Sequence, residues 1–364
     1  MKTFVTLFNC QNVHLIKDVG LIPFGMYKYC GYNSYIATYN NDEYFYLDRE
    51  VKGLKLEYVK KISGRFFIDS IYYLIKNAKK IDILNLYHAK ALSAIQVFFY
   101  KVFNKKGIVY IKLDGGRLKN ETQWYKYPFR KYCFKYANYI TAEIESRKHE
   151  LEDDWEIHLG LVTNPYNPLE LQEFKPFNLR ENTIITVGRI GTTPKASEIL
   201  MEGFRMVSDT LPGWKLKIVG PIEEPFKPYI SDWFNKYPSM KHRVSFEGNV
   251  PDRQVLGELY RNSKLYVSSS RWESYGIATM EAELNGCYII ATDIPASRAL
   301  TNDFKYGKSF PIDDIEALGN CILSSCLDLA KAEKLAKEGY AYIKTTCSLK
   351  NVCESIEQGL KEST

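Results

Sequence analysis

Hydrophobic residues in the second half of this chain fall into short β-rich runs that alternate with stretches of helical spacing. The runs predict strands at 183–187 (TIITV), 215–219 (KLKIV), 243–246 (RVSF), 264–268 (KLYVS) and 288–292 (YIIAT). Between them, apolar residues recur at helical intervals and predict helices at 196–210, 228–237, 252–262 and 277–285. Strands and helices in this order imply βαβ units and a parallel sheet. The first half repeats the pattern less regularly. Strands are predicted at 4–8, 34–38, 83–86, 108–112 and 139–142, and helices at 19–29, 65–79, 89–105 and 122–136. This reads as a second Rossmann-like sheet. Between the halves lies TNPYNPLELQEFKPF, where Pro165, Pro168 and Pro176 argue against a regular element. The division is therefore a first domain at 1–165, a linker at 166–180 and a second domain at 181–345.

Size agrees with this division, since 364 residues at roughly 150 per domain make two. Apolar and charged contents of 45% and 25% are those of an ordinary soluble globular protein. No apolar run approaches the roughly 20 residues that span a bilayer. The opening MKTFVTLFNCQNVH reads as a first buried strand, not as a signal peptide. Eight cysteines occur without a C-x-x-C pair and without a Cys/His cluster at zinc spacing. That points to a reduced, cytoplasmic protein with no structural metal. The net charge of +6 is mild and does not by itself imply nucleic acid.

The candidate chemistry concentrates in VSSSRWESYGIATMEAELNGCYIIATD. The segment reads as buried strand, loop, short helix, Gly turn and buried strand. Glu273 falls in the loop, and Glu281 lies about one turn inside the helix. Helix N-termini favour anions, and open α/β sheets bind ligands at the carboxyl ends of their strands. A phosphate receiver flanked by two carboxylates suits a nucleotide sugar: N–H groups take the diphosphate, and carboxylates accept hydrogen bonds from hydroxyls. Glu283, two positions from Glu281, points elsewhere and is expected on the surface. Upstream, the strand TIITV is followed by Gly188-Arg189 and, six residues later, Lys195. An Arg fork and a Lys point charge suit a departing diphosphate.

Glu273, Tyr275, Gly276, Glu281, Ala282 and Gly286 resemble the signature of retaining GT-B glycosyltransferases of the family-4 type, E-x-F/Y-G-x3-x-E-A-x3-G. VGRIGTTPK resembles the G-R-x4–5-K segment of the same family. The resemblance implies the GT-B fold, two Rossmann-like doubly wound α/β domains facing a cleft, with a last helix (346–364) that crosses back to the first domain. It implies transfer of a sugar from a nucleoside diphosphate, UDP by default, to a hydroxyl of a glycan or lipid-linked acceptor. Cell-surface polysaccharide biosynthesis is the expected setting. The enzyme would be of the hexosyltransferase type (EC 2.4), metal-independent and without a cofactor. Arg189, Lys195 and Glu273 would serve catalysis. Gly188, Glu273, Tyr275, Gly276, Ile277, Ala278 and Glu281 would bind the donor, with Glu281 on the ribose and Glu273 on the sugar. Gly248 and Val250 are candidates for the base pocket.

On the acceptor side the candidates are Lys17, Asp18 and Gly20 after the first strand, His88 after ILNLY, and Asp114. Relatives often carry a histidine near the reacting sugar, where this chain reads YIKLDGG, with Lys112 and Asp114. The usual paired glycines of the first loop are missing. The stretch NETQWYKYPFRKYCFKYANY interleaves Lys126, Arg130, Lys131 and Lys135 with aromatics, and ALSAIQVFFYKVFNKKG and FFIDSIYYLIKNAKK repeat the pattern. Rings packed inward with snorkelling cations, a membrane-surface patch and a nucleic-acid surface all fit. No recognition motif accompanies the last, so nucleic acid is not expected as a partner. A peripheral contact with the inner face of the cell membrane would suit a lipid-linked acceptor. Two other functions remain open: a GT-B nucleotide-sugar epimerase, and a catalytically silent GT-B subunit. A dehydrogenase is disfavoured, because neither half shows G-x-G-x-x-G after its first strand.

Overall fold

The computed structural model describes residues 1–88, 91–113, 131 and 134–363. The described chain divides into two compact units. One contains Met1–Leu169 together with Thr346–Thr364, and the other contains Glu170–Thr345. Each is built on one parallel sheet.

In the first unit the strands are β1 (Thr3–Leu7), β2 (Asn33–Thr38), β3 (Lys55–Tyr58), β4 (Ile83–Tyr87), β5 (Ile108–Lys112), β6 (Tyr139–Ala142) and β7 (Gly160–Leu161). They lie in the order β3-β2-β1-β4-β5-β6-β7. Helices α1 (Asp18–Cys30), α2 (Phe66–Asn77), α3 (Ala91–Phe103) and α4 (Glu145–Trp155) connect them. Alternate strand residues face opposite ways, and the core divides accordingly. Val5, Leu84 and Val109 bury one face, while Phe4, Ile83 and Tyr110 bury the other.

The second unit holds β8 (Glu181–Val187), β9 (Lys215–Val219), β10 (Val244–Gly248), β11 (Ser263–Ser268), β12 (Tyr288–Thr292) and β13 (Gly307–Phe310). Their order is β10-β9-β8-β11-β12-β13. The helices are α5 (Ser197–Ser208), α6 (Lys227–Lys236), α7 (Arg253–Asn262), α8 (Ile277–Leu284), α9 (Pro295–Thr301), α10 (Ile315–Leu327) and α11 (Leu329–Thr346). The chain order reverses between β8 and β11, as it does between β1 and β4 in the first sheet. Both reversals are switch points, where the carboxyl ends of neighbouring strands diverge and leave a crevice for a ligand.

The final helix α12 (Leu349–Glu362) belongs to the first unit. Its Leu349, Val352, Cys353, Ile356 and Leu360 join the core beside α1. Gly25 permits that approach, because a Cβ there would lie 2.4 Å from Cys353 Sγ.

The expected α/β class with two doubly wound parallel sheets is the observed one. Several elements were not predicted. β3 and β7 are short and partly exposed, so neither shows a buried run. Helix α4 buries only Arg147, Leu151 and Trp155, too sparse for an apolar stripe. The helix predicted at 122–136 lies, but for a few residues, outside the described residues.

Candidate active site at the switch point of the second sheet

Strand β8 delivers the first half of the site. Its last residue is followed by Gly188, whose N–H donates to Val219 O at 2.9 Å on β9. The backbones crowd here. Gly220, at φ 137°, has no room for a side chain, since a Cβ would fall 1.8 Å from Gly188 O. The chain then turns, and Lys195 folds back so that its side chain packs over Gly188; a Cβ on Gly188 would lie 3.1 Å from Lys195 Cε. Ala196 caps α5 in the left-handed region at φ 46°. Ser269 holds that bend, its Oγ donating to Lys195 O and Ala196 O at 3.0 Å each.

Strand β11 delivers the second half. Its carboxyl end opens into the loop carrying Ser270 and Glu273. Lys195 Nζ meets Glu273 Oε1 at 2.5 Å, and Ser270 Oγ donates to the same oxygen at 2.7 Å. The structure thus brings together two residues that lie 78 positions apart. Between the two strand ends is a narrow cavity lined by Gly188, Lys195, Ser268, Ser269 and Ser270. Arg189 is exposed, and its guanidinium pairs with no other described residue. Arg271 braces the loop from outside, bonded to Glu198 and Asp313 at 2.7 Å each and to Thr193 O at 2.8 Å.

Gly276 then starts α8 from the left-handed region, at φ 89°, a conformation that favours glycine. The helix's first bonds run from Thr279 and Met280 N–H to Gly276 O at 2.9 and 3.1 Å. The peptide N–H groups of Gly276, Ile277 and Ala278 precede them and have no acceptor within the helix. Tyr275 is buried beneath this turn. At the other end Gly286 and Cys287 N–H close back on Glu283 O and Ala282 O, both at 2.9 Å. That is the Gly-terminated stop expected from Asn285–Gly286.

Glu281 projects from the first turns of α8 and is 8% exposed. Arg253, the first residue of α7, donates to Glu281 Oε1 at 2.6 Å and to Glu170 Oε1 at 3.0 Å. Burial alone would lower the Arg253 pKa, but Glu281 and Glu170 outweigh it and hold the guanidinium above its ordinary value. Tyr260 OH lies 3.3 Å from Glu281 Oε2. Burial first, and the Glu281 charge second, keep that phenol well above its ordinary pKa. Neither Arg253 nor Tyr260 was singled out in the sequence. A cation opening a helix is the unusual feature that could have flagged Arg253.

One expectation is overturned. Glu283 is not a surface residue: it is 1% exposed, and neither carboxylate oxygen has a hydrogen-bond partner. Burial pushes its pKa well above the ordinary range. The side of α8 opposite Glu281 is covered by α11, where Gly339 makes the space. A Cβ at 339 would lie 2.4 Å from Glu283 Oε1.

The acceptor-side candidates surround the other switch point, between β1 and β4. Asp18 opens α1, and its Oδ2 lies 3.4 Å from Lys112 Nζ at the end of β5. Lys112 is 0% exposed and also bonds Glu143, and Asn164 at 2.6 Å. Burial would lower its pKa, but Glu143 and Asp18 reverse the shift and raise it. Glu143 and Asn164 were not anticipated. His88, at φ 62°, follows β4, and its N–H donates to Lys112 O at 3.0 Å. Lys17 points to solvent, while Gly20 is buried within α1, where a Cβ would lie 2.2 Å from Leu15 O. Gly20 therefore serves packing. Asp114 lies outside the described residues.

Residues 169–342 match the family described as Glycosyl transferases group 1. That match spans nearly the whole second unit. Curated relatives agree. The chain is 28% identical over 145 residues to a poly(glycerol-phosphate) alpha-glucosyltransferase of Bacillus subtilis, covering 38% of this chain and 20% of that protein. It is 26% identical over 227 residues to the GtfA subunit of a UDP-N-acetylglucosamine–peptide N-acetylglucosaminyltransferase of Streptococcus parasanguinis, covering 59% of this chain and 43% of that protein. It therefore matches less than half the length of either relative. Anabaena HepE, solved in complex with UDP and glucose, aligns over 100% of both chains with a TM-score of 0.74 at 14% identity. The two-sheet fold is of the GT-B type, and the family match lies in its second unit.

Proposed function

We propose that this protein is a retaining, metal-independent glycosyltransferase that moves a sugar from a nucleoside diphosphate to a hydroxyl of a glycan or lipid-linked acceptor. The observation that carries the reading is the convergence of Lys195, Glu273, Glu281 and the N-terminus of α8 at one switch point. The α8 N–H groups receive the distal phosphate, and Lys195 and Arg189 take up the negative charge that grows as the glycosidic bond breaks. Lys195 then exchanges Glu273 for phosphate, which frees Glu273 to accept hydrogen bonds from sugar hydroxyls. The acceptor oxygen attacks on the face the diphosphate leaves, and its proton passes to a leaving phosphate oxygen. UDP is the favoured donor nucleotide because the HepE structure holds UDP and glucose.

Cell-surface glycan assembly is the proposed setting, supported by the poly(glycerol-phosphate) relative. No helix among the described residues is long and apolar enough to cross a membrane. Helices α2 and α3, however, expose Ile68, Ile75, Leu92, Phe98 and Val102, beside the exposed Lys76, Lys79, Lys80, Lys105 and Lys106. An apolar face rimmed by cations suits peripheral attachment to the anionic inner leaflet, where a lipid-linked acceptor would be met.

The test is release of UDP from UDP-sugars, followed with and without EDTA, with the first-formed anomer read by proton NMR. The reading requires EDTA-insensitive release and an α product. Lys195→Ala and Arg189→Ala should each slow release by about a hundredfold or more, the scale of a lost transition-state charge contact, with circular dichroism unchanged. Binding without release would favour the silent subunit. A β product would overturn retention.

A further inference from the structure

Arg253 is oddly placed for a structural residue. It is the first residue of α7, directly after the capping residue Asp252, whose Oδ1 accepts from Gln254 and Val255 N–H at 2.8 and 3.3 Å. The amino end of a helix repels cations and favours acids, so helix electrostatics oppose an arginine there. Two carboxylates offset that cost, and one of them is Glu281. Among the described residues Arg253 is the one cation paired with Glu281, which a buried ionised carboxylate requires. Tyr260, fixed in the core of the same unit, approaches the opposite oxygen.

We propose that Arg253 makes this site selective for ribonucleotides over deoxyribonucleotides, by fixing the Glu281 carboxylate so that it accepts from both hydroxyls of the ribose diol. The inference rests on the nucleotide-sugar reading above. A carboxylate offers about four lone-pair sites. Arg253 occupies one on Oε1 and Tyr260 approaches one on Oε2, which leaves one on each oxygen for a vicinal diol. Without Arg253 the carboxylate can rotate away, and the diol loses its bidentate partner. Arg253 is a positioning residue: it acts through Glu281 and makes no contact with the reacting atoms. Glu170 belongs to the same device, because it holds the guanidinium from the other side.

Calorimetric titration of the full chain with UDP and dUDP, and in parallel with the GDP/dGDP and ADP/dADP pairs, tests this. The wild type should prefer the ribo form of the bound nucleotide by about tenfold or more, the scale of one charged hydrogen bond. Arg253→Ala should lower that preference to about twofold or less by weakening the ribo form alone, and Arg253→Lys should restore part of it. Glu170→Gln, which leaves Arg253 in place, should give an intermediate ratio, and it keeps the test open should Arg253→Ala fail to fold. A purely structural role would weaken both nucleotides equally and leave the ratio unchanged, and that result overturns the proposal. Failure of the wild type to bind any of the six nucleotides would instead overturn the nucleotide-sugar reading on which it rests.

Discussion

At the scale of single residues, what decides the chemistry of the second unit is which charges are paired. Lys195 meets Glu273 and Arg253 meets Glu281, whereas Glu283 is buried without a partner. Ionising Glu283 would bury a charge that no partner meets, and burial raises its pKa well above the ordinary value. The unfolded chain ionises it above its ordinary value of 4.5. Between that value and the raised folded pKa, the unfolded state binds fewer protons, and stability falls as pH rises by about 1.4 kcal/mol per unit. Glu283→Gln should remove this slope. Denaturant unfolding of both proteins from pH 4.5 to 7.5 would show the variant gaining on the wild type as pH rises. Parallel curves would mean that Glu283 is solvated or paired. The signature residues could be read from the sequence because their spacing is local. Glu283 could not, because the α11 surface that covers it comes more than 40 residues later. Asp18 was legible as a candidate. Its partner Lys112 was recognised only as standing where relatives carry a histidine, and Glu143, which completes the pairing, carried no local signal.

At the scale of elements, helix starts set the geometry. Gly276 and Ala196 begin α8 and α5 from left-handed backbone, aiming both amino ends toward the crevice beside β8 and β11. Asp252 begins α7 by a side-chain cap and so fixes where Arg253 emerges. Asp252→Ala should cost about 1 kcal/mol, read as a lower denaturant midpoint. On the proposed reading it should also loosen ribonucleotide binding. An unchanged midpoint would show that the cap contributes nothing. Strands with mostly buried residues were legible, with β5, β6, β9 and β12 predicted to the residue. Short edge strands such as β3 and β13 were not, because pairing with a neighbour, and not their own pattern, makes them strands. Helix α4 escaped for a related reason: its mostly polar sequence is held by three buried side chains.

At the scale of the whole molecule, the chain assigns different work to its two units. The second carries the family match and the charged crevice. The first carries the buried Lys112 cluster and the exposed apolar, lysine-rimmed faces of α2 and α3. On the proposed reading those faces attach the protein to an anionic leaflet. Co-sedimentation with vesicles rich in phosphatidylglycerol should capture the wild type and lose most of it on Ile75→Glu with Val102→Glu, and raised salt should weaken capture. Equal capture of wild type and double variant would remove this surface from the account. The central claim is that the crevice between β8 and β11 is a nucleotide-sugar donor site, and calorimetric titration of UDP, GDP and ADP into the wild type and Lys195→Ala tests it most directly. The account predicts that one nucleoside diphosphate binds the wild type without added metal and binds Lys195→Ala about tenfold or more weakly, the scale of a charged contact. No binding by any of the three, or equal affinity in both proteins, would contradict it.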